Sequence, residues 1–300
     1  MFARALPRIL FCLCSLLISV SICWASGDPD PEIAFIRMGA IDTFPPTRMK
    51  TEVFLPTGKG PFPVLIFAHG RPSTRYDRSV LSDPIPFVHV KYWLKQGFAV
   101  VASIRPGYGA TGGLDREGSG AAINNDLKQC HSAGDLTPFM QRGMASVRTT
   151  LDWVKQQTWA KPKAIVLEGH GAGGFLVTTL AAENPDGVVG VINFAGGAAA
   201  FPEAGISHSC ADKQLTQIFS QAGRTMRVPS IWLYAENDGF WGPDAPKKWH
   251  AAFAKDLRVP SEFIFTGPLP NFDGHYLLNY GGVLWAESLN RFVERLQLRE

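Results

Sequence analysis

Three positions of this 300-residue chain, Gly171, Asp238 and His275, have the order of an acyl-transfer site, and the last two have its residue types. The first lies in Glu168-Gly169-His170-Gly171-Ala172-Gly173-Gly174, after the apolar run Ala164-Ile165-Val166-Leu167 and before a helix-like stretch over 175–182. In that setting the pattern G-x-S-x-G presents a serine hydroxyl on a sharp strand-to-helix turn. Here the seat of the serine is Gly171, which has no side chain to attack with. Asp238 follows an apolar strand in Tyr234-Ala235-Glu236-Asn237-Asp238, and His275 follows the last strand in Asp273-Gly274-His275. A carboxylate so placed holds one imidazole tautomer, and the histidine relays the proton. Glu236 and Asp244 are weaker candidates for the acid, and helix-borne His250 for the base. Ser119, in Gly118-Ser119-Gly120, is a hydroxyl without the strand–turn–helix setting.

Other segments complete the site. Phe67-Ala68-His69-Gly70-Arg71 closes an apolar strand. The backbone N–H groups of Arg71 and Ala172 are candidate donors to a developing oxyanion. Arg105-Pro106-Gly107-Tyr108-Gly109 follows the next strand and is expected to form the pocket wall, with Tyr108 touching substrate. Phe240, Trp241, Phe201 and Tyr276 are expected to line an apolar pocket. The glycines around 171 fit the dinucleotide fingerprint G-x-G-x-x-G in part. Their strand is late in the chain, and no acidic residue ends the next strand about 20 positions on, which argues against a nucleotide.

The elements that must hold these residues alternate. Strands are expected at 34–36, 52–55, 64–68, 98–102, 164–168, 188–194, 230–234 and 261–265. Helices are expected at 87–94, 140–156, 172–183, 212–222, 245–256 and 282–297. Apolar Met144, Val147, Leu151 and Val154 recur at helical spacing, and the run Val64-Leu65-Ile66-Phe67-Ala68 is that of a strand covered on both faces. The alternation implies one α/β domain: a doubly wound, mostly parallel sheet of about eight strands with helices on both faces and no large cap domain. In such sheets ligands bind at the carboxyl ends of the strands, where all the candidates fall.

Composition bounds the function. With 46% hydrophobic residues the chain can bury a large core, and a formal charge of +3 without a long basic run gives no sign of a nucleic-acid binder, so none is expected as partner. Residues 1–25 read as a secretory signal: Arg4 and Arg8, an apolar run over 9–22, then Cys23-Trp24-Ala25. Ser15, Ser19 and Ser21 interrupt the run, which is short for a membrane span. The expected mature domain, 26–300, is therefore exported, periplasmic or secreted, without a stable membrane anchor after cleavage. It keeps two cysteines, Cys130 and Cys210, which an oxidising compartment would join. A metal site from Cys130, His131, His208 and Cys210 lacks the spacing of a known zinc module, and no metal is expected.

Together the H-G after the third strand, R-P-G-Y-G, G-H-G-A-G-G, Y-A-E-N-D and D-G-H resemble an exported, dienelactone-hydrolase-like member of the α/β-hydrolase superfamily, over about residues 50–297. The chain order 171, 238, 275 is the order nucleophile, acid, histidine of that fold. The resemblance implies hydrolysis of a small-molecule carboxylic ester or lactone without a cofactor, with His275 as base and Asp238 as acid. It supplies no nucleophile, since Gly171 departs from the Ser or Cys of that family. The chain as written is expected to be inactive or severely impaired. The alternatives are a pseudo-hydrolase that binds a ligand or partner, or a weak hydrolase in which His275 activates water.

Overall fold

In the computed structural model the described residues are 31–38, 47–118, 123–124, 129–130 and 135–298. The signal-like segment 1–25, His131 and Ser119 lie outside them. Ten strands run β1 Glu32–Arg37, β2 Arg48–Phe54, β3 Phe62–Ala68, β4 Ala99–Ser103, β5 Ile123–Asn124, β6 Gln129–Cys130, β7 Ala160–His170, β8 Val188–Phe194, β9 Ser230–Ala235 and β10 Ser261–Thr266. Helices are α1 Arg75–Ser79, α2 Phe87–Lys95, α3 Thr137–Val154, α4 Ala172–Ala181, α5 Asp212–Thr225, α6 Ala245–Ala254, α7 Leu277–Tyr280 and α8 Gly282–Arg295.

Eight strands form one sheet in the order β1-β2-β4-β3-β7-β8-β9-β10. β1 and β2 pair antiparallel, β2 pairs antiparallel with β4, and all other neighbours are parallel. All eight expected strands and all six expected helices are present. The additions are short: α1, α7 and the hairpin β5–β6. β7 also begins at Ala160, where Lys161 and Lys163 break the apolar signal that marks its central part.

Two cores sandwich the sheet. One packs α3 to α6 on one face, around Phe175, Leu176, Phe219 and Trp232; the other packs α2, α7 and α8 on the opposite face, around Trp93, Phe194, Leu289 and Phe292. Every residue of α4 is buried. That explains its lack of a polar side: it lies between α3 and the central strands, and each large aliphatic or aromatic side chain there contributes about 1.5–3 kcal/mol of burial. Its first turn packs so close to β3 that a Cβ on Gly173 would overlap the Ala68 carbonyl. The central strands β3, β7, β8 and β9 thereby aim their carboxyl ends at one edge.

Cys130 and Cys210 form a disulfide across 80 residues. It ties β6 to the segment before α5, where the Cys210 N–H donates to the Ala199 carbonyl at 2.8 Å. Closing a loop of that length restricts the unfolded chain, so its reduction is expected to cost about 2–4 kcal/mol. Urea melts with and without a thiol reductant test this; coincident curves would contradict it.

Candidate active site

Gly171 sits between β7 and α4 with φ 54° and ψ −120°, a backbone conformation that residues with a Cβ rarely adopt. The turn is pinned on both sides: Gly171 N–H donates to Phe194 O at 2.9 Å, and Gly171 O accepts from Gly197 N–H at 3.1 Å. A Cβ built on Gly171 would lie 3.1 Å from His275 Nε2 and 3.9 Å from Gly70 Cα. The empty position therefore faces both the imidazole and the loop after β3. Serine there would carry the strain of the turn and press the imidazole back by a few tenths of an ångström. Gly171→Ser is therefore expected to lower stability by about 1–3 kcal/mol, seen as a drop of several degrees in Tm. A Tm equal to or above that of the glycine form would show an unstrained turn.

His275 and Asp238 are brought together. His275 Nδ1 lies 3.3 Å from Asp238 Oδ2, and both side chains are buried. Asp238 Oδ1 accepts from the N–H groups of Phe240 at 2.8 Å and Trp241 at 3.2 Å, which fixes the carboxylate. With Nδ1 turned to the acid, Nε2 faces Gly171. Phe240 stacks on the imidazole at 3.8 Å between centroids and 17° between planes. Two residues that sequence reasoning left without a role clamp the loops carrying the pair. Asp273 Oδ1 accepts from both His275 N–H and Gly239 N–H at 2.8 Å. Asn237 Nδ2 donates to the carbonyls of Leu269 and Phe272, and its Oδ1 accepts from Leu269 N–H. Both lie inside the motifs Y-A-E-N-D and D-G-H, which was the available signal. Glu236 and Asp244 are exposed, and His250 bonds Ser261 at the far edge of the sheet, so none of them joins the pair.

His170 was also missed. Its Nε2 donates to the His275 carbonyl at 2.7 Å, and its ring lies 4.8 Å from that of His275. Burial, reinforced by neighbouring His275, pushes it down to about 3, so it stays neutral and holds the His275 backbone. His69 is likewise held well below its usual range by burial and by Arg105, and burial pushes His250 down to about 4. These histidines bind protons in the unfolded chain but not in the folded one. Their contribution to stability is present above about pH 6.5 and is lost as pH falls toward 4. Urea midpoints are expected to fall between pH 7 and 4.5, and His250→Gln to flatten that slope. An unchanged slope in the variant would refute the assignment.

The loop after β3 is held from behind. His69 Nε2 accepts the Arg105 N–H at 3.0 Å, so Nδ1 carries the proton and donates to Gly70 O at 2.7 Å. Arg105 Nη1 donates to His69 O at 2.6 Å. In a trans peptide the N–H points opposite the carbonyl, so drawing the Gly70 carbonyl back toward His69 leaves the Arg71 N–H directed away from that bond. Ala172 opens α4, where N–H groups lack intrahelical partners and the helix dipole favours negative charge. These are the two N–H groups named from the sequence.

The Arg71 side chain has a further job. It pairs with Asp115 at 2.7 Å and donates to Tyr108 Oη at 2.6 Å. Although burial acts to raise it, Asp115 is held below the usual carboxylate range by Arg71 and Arg78. Tyr108 corrects an expectation. It is fully buried, lines neither cavity and donates to Glu117 Oε2 at 2.5 Å. R-P-G-Y-G therefore supports the loop after β3 from the protein side instead of walling the pocket, because Arg105 and Tyr108 both turn inward to buried Glu117.

Two cavities meet at His275. The larger, about 630 Å³, lies beside His170, Gly70 and Tyr276, with Asp77, Asp83 and Glu203 among its walls. The smaller, about 90 Å³, lies against Ala172, Trp241 and Phe201. Phe240 borders both. Of the residues expected to touch substrate, Phe240, Trp241, Phe201 and Tyr276 line these spaces.

The only cluster of metal-ligand type among the described residues is Cys130, His208 and Cys210, and there both cysteines are joined to each other.

Solved structures share this architecture. An esterase from Pyrococcus furiosus is 10% identical, with a TM-score of 0.58 over 89% of this chain and 91% of that one. A putative dienelactone hydrolase from Klebsiella pneumoniae subsp. pneumoniae is 12% identical, with a TM-score of 0.54 over 90% and 100%. An acylaminoacyl peptidase from Pyrococcus horikoshii is 13% identical, with a TM-score of 0.59 over 91% of this chain and 43% of that one. At such identities the likeness is one of fold, and the fold is that of the α/β hydrolases. No curated protein sequence matches the chain. The family model described as X-Pro dipeptidyl-peptidase (S15 family) matches residues 42–217, which include Gly171 and end before Asp238. Because that match spans more than half of the sequence, the chain belongs to the S15 family, on a dienelactone-hydrolase-like α/β-hydrolase scaffold.

Proposed function

We propose that this chain is a carboxylic-ester or related acyl hydrolase whose nucleophile is missing, so that it is inactive or severely impaired as it stands. In this reading His275 is the base, Asp238 orients it, and the N–H groups of Arg71 and Ala172 receive the oxyanion. The observation that carries it is His275 Nε2 lying 3.1 Å from the Cβ position of Gly171 while Nδ1 faces Asp238. A pocket kept only for binding has no need of that pair, which favours a disabled catalyst over a pure binding module. The same geometry favours one secondary reading, slow hydrolysis by water activated at His275 Nε2.

The cavities bear on the substrate class. The small space beside Ala172, walled by Leu136, Phe139, Phe201 and Trp241 as well as by Arg78 and Glu117, suits a short acyl group, and the large one suits a bulkier remainder. Asp77, Asp83 and Glu203 face the large cavity, whereas its cation Arg71 is engaged by Asp115. Neutral or amine-bearing substrates therefore fit better than anionic ones, which is compatible with esters, lactones and peptide-like acyl compounds alike. The signal-like N-terminus and the disulfide support an exported protein with no membrane anchor after cleavage. Hydrolysis of a short-chain aryl ester by the native chain and by its Gly171→Ser form tests the proposal; equal rates would sink it.

A further inference from the structure

His170 has one ring nitrogen in use and one to spare. Its Nε2 donates to the His275 carbonyl at 2.7 Å, so the proton of the neutral imidazole sits on Nε2 and Nδ1 is left as an acceptor. Burial pushes the ring down to about 3, which keeps that lone pair free of a proton at ordinary pH. Among the described residues nothing donates to Nδ1. The atom is not sealed off either: it keeps accessible surface, on a side chain that is only partly buried.

The ring stands in the wall of the large cavity, beside Gly70, His275, Tyr276 and Phe240. A Cβ built on Gly70 would come within 3.3 Å of His170 Nδ1, so the missing side chain leaves the lone pair uncovered. Gly70 also adjoins the nucleophile seat, since its Cα is 3.9 Å from the Cβ position of Gly171. A group bonded to Nδ1 therefore lies only a few bonds from a carbonyl held at Gly171. The other two histidines of this wall are committed. His275 turns Nδ1 to Asp238 and Nε2 to Gly171, and His69 is engaged by the Gly70 carbonyl and the Arg105 N–H. Asp77, Asp83 and Glu203 are exposed, so water competes for their oxygens.

We infer that His170 is a substrate-binding residue whose Nδ1 accepts the N–H of an amide lodged in the large cavity, so that this site takes acyl compounds with an amide a few bonds from the scissile carbonyl. The inference rests on the hydrolase reading above and narrows its substrate class. An amide N–H donates and cannot accept, which matches an atom that accepts and cannot donate.

Two isosteric esters test it: 2-acetamidoethyl butyrate and 4-oxopentyl butyrate, which differ only in an N–H replaced by a methylene. Their affinities for the native chain, where turnover is absent or slow, can be read by ligand-observed NMR titration. The ratio of the two, amide over ketone, is expected to fall roughly three- to tenfold in His170→Phe, the worth of one neutral hydrogen bond. Gly70→Ala should lower the same ratio by covering Nδ1, while Nε2 keeps its bond to the His275 carbonyl; it decides alone if His170→Phe does not fold. In the Gly171→Ser background the ratio of kcat/KM values should fall in the same way. A His170 that acted only by holding His275 would slow both esters alike and leave every ratio where it was. An unmoved ratio, or no binding of either ester by the native chain, would overturn the inference. An active Gly171→Ser form with an unmoved ratio would remove the amide contact and spare the hydrolase reading. An inactive Gly171→Ser form, beside a binding ratio that falls in the variants, would do the reverse.

Discussion

Gly171→Ser is expected to raise the hydrolysis of activated aryl esters at least about 10³-fold over the native chain. The size follows from what is already in place. His275 Nε2 faces the position the hydroxyl would enter, Asp238 sits behind Nδ1, and two N–H groups flank the turn. Enzymes stripped of one triad member retain only roughly 10³–10⁴-fold catalysis over water, from oxyanion donors and binding. Returning the member should recover much of the rest. The obstacle is steric: the imidazole must move by a few tenths of an ångström, and Phe240 stacks directly on it. That makes kcat the sensitive quantity, with KM little altered, since the cavity walls shift by no more than those few tenths of an ångström. Adding His275→Gln to the serine form should abolish the gain, because the new hydroxyl then has no base. Rates within tenfold for the native and serine chains would show that the pair does not act on position 171. A serine form whose activity survives His275→Gln would point to a different base.

The sheet was readable because its central strands β3, β4, β8 and β9 are continuous apolar runs covered on both faces, and each chemically significant residue follows a strand at its carboxyl end. Asp238 and His275 could be paired before their contact was known, since chain order and strand ends restrict the choices so strongly. The position of Gly171 was equally plain, as strand, glycines and helix follow each other directly. Tyr108 was misread for a physical reason. A tyrosine in a Gly-rich loop next to a catalytic strand looks like a pocket wall, and only Glu117, nine residues on, reveals that it faces inward. The buried pair His89 and Glu168, 2.5 Å apart beneath the elbow, was invisible for the same reason. Its partners are 79 residues apart, and no local periodicity marks such a contact. Short elements such as α1, α7 and the β5–β6 hairpin are too brief to show a period at all. His170 could have been suspected, since it occupies the variable position of the elbow beside the nucleophile seat.

Arg105→Met is expected to destabilise the fold by about 3–5 kcal/mol, the cost of leaving a buried charge without its partner. Arg105 and Glu117 are both buried and meet at 2.6 Å through Nε and Oε1. Without the guanidinium, Glu117 keeps the Tyr108 hydroxyl and the more distant Arg71, 3.8 Å away. The same substitution frees the His69 carbonyl, which Arg105 Nη1 holds at 2.6 Å. Loss of stability and loss of the oxyanion loop should therefore appear together: in the Gly171→Ser background, kcat should fall even at temperatures where the variant remains folded. Arg105→Lys separates the two effects. It keeps a positive charge near Glu117 but cannot reach Glu117 and His69 O at once with a rigid fork. The lysine form should thus recover a good part of the stability while kcat stays low. Arg105→Met combined with Glu117→Gln should also be more stable than Arg105→Met alone, because no unpaired charge is then buried. Denaturant melts of the four proteins decide it. If Arg105→Met costs under about 1 kcal/mol, or the double change is no better than the single one, the buried pair is not what holds the loop behind the active site.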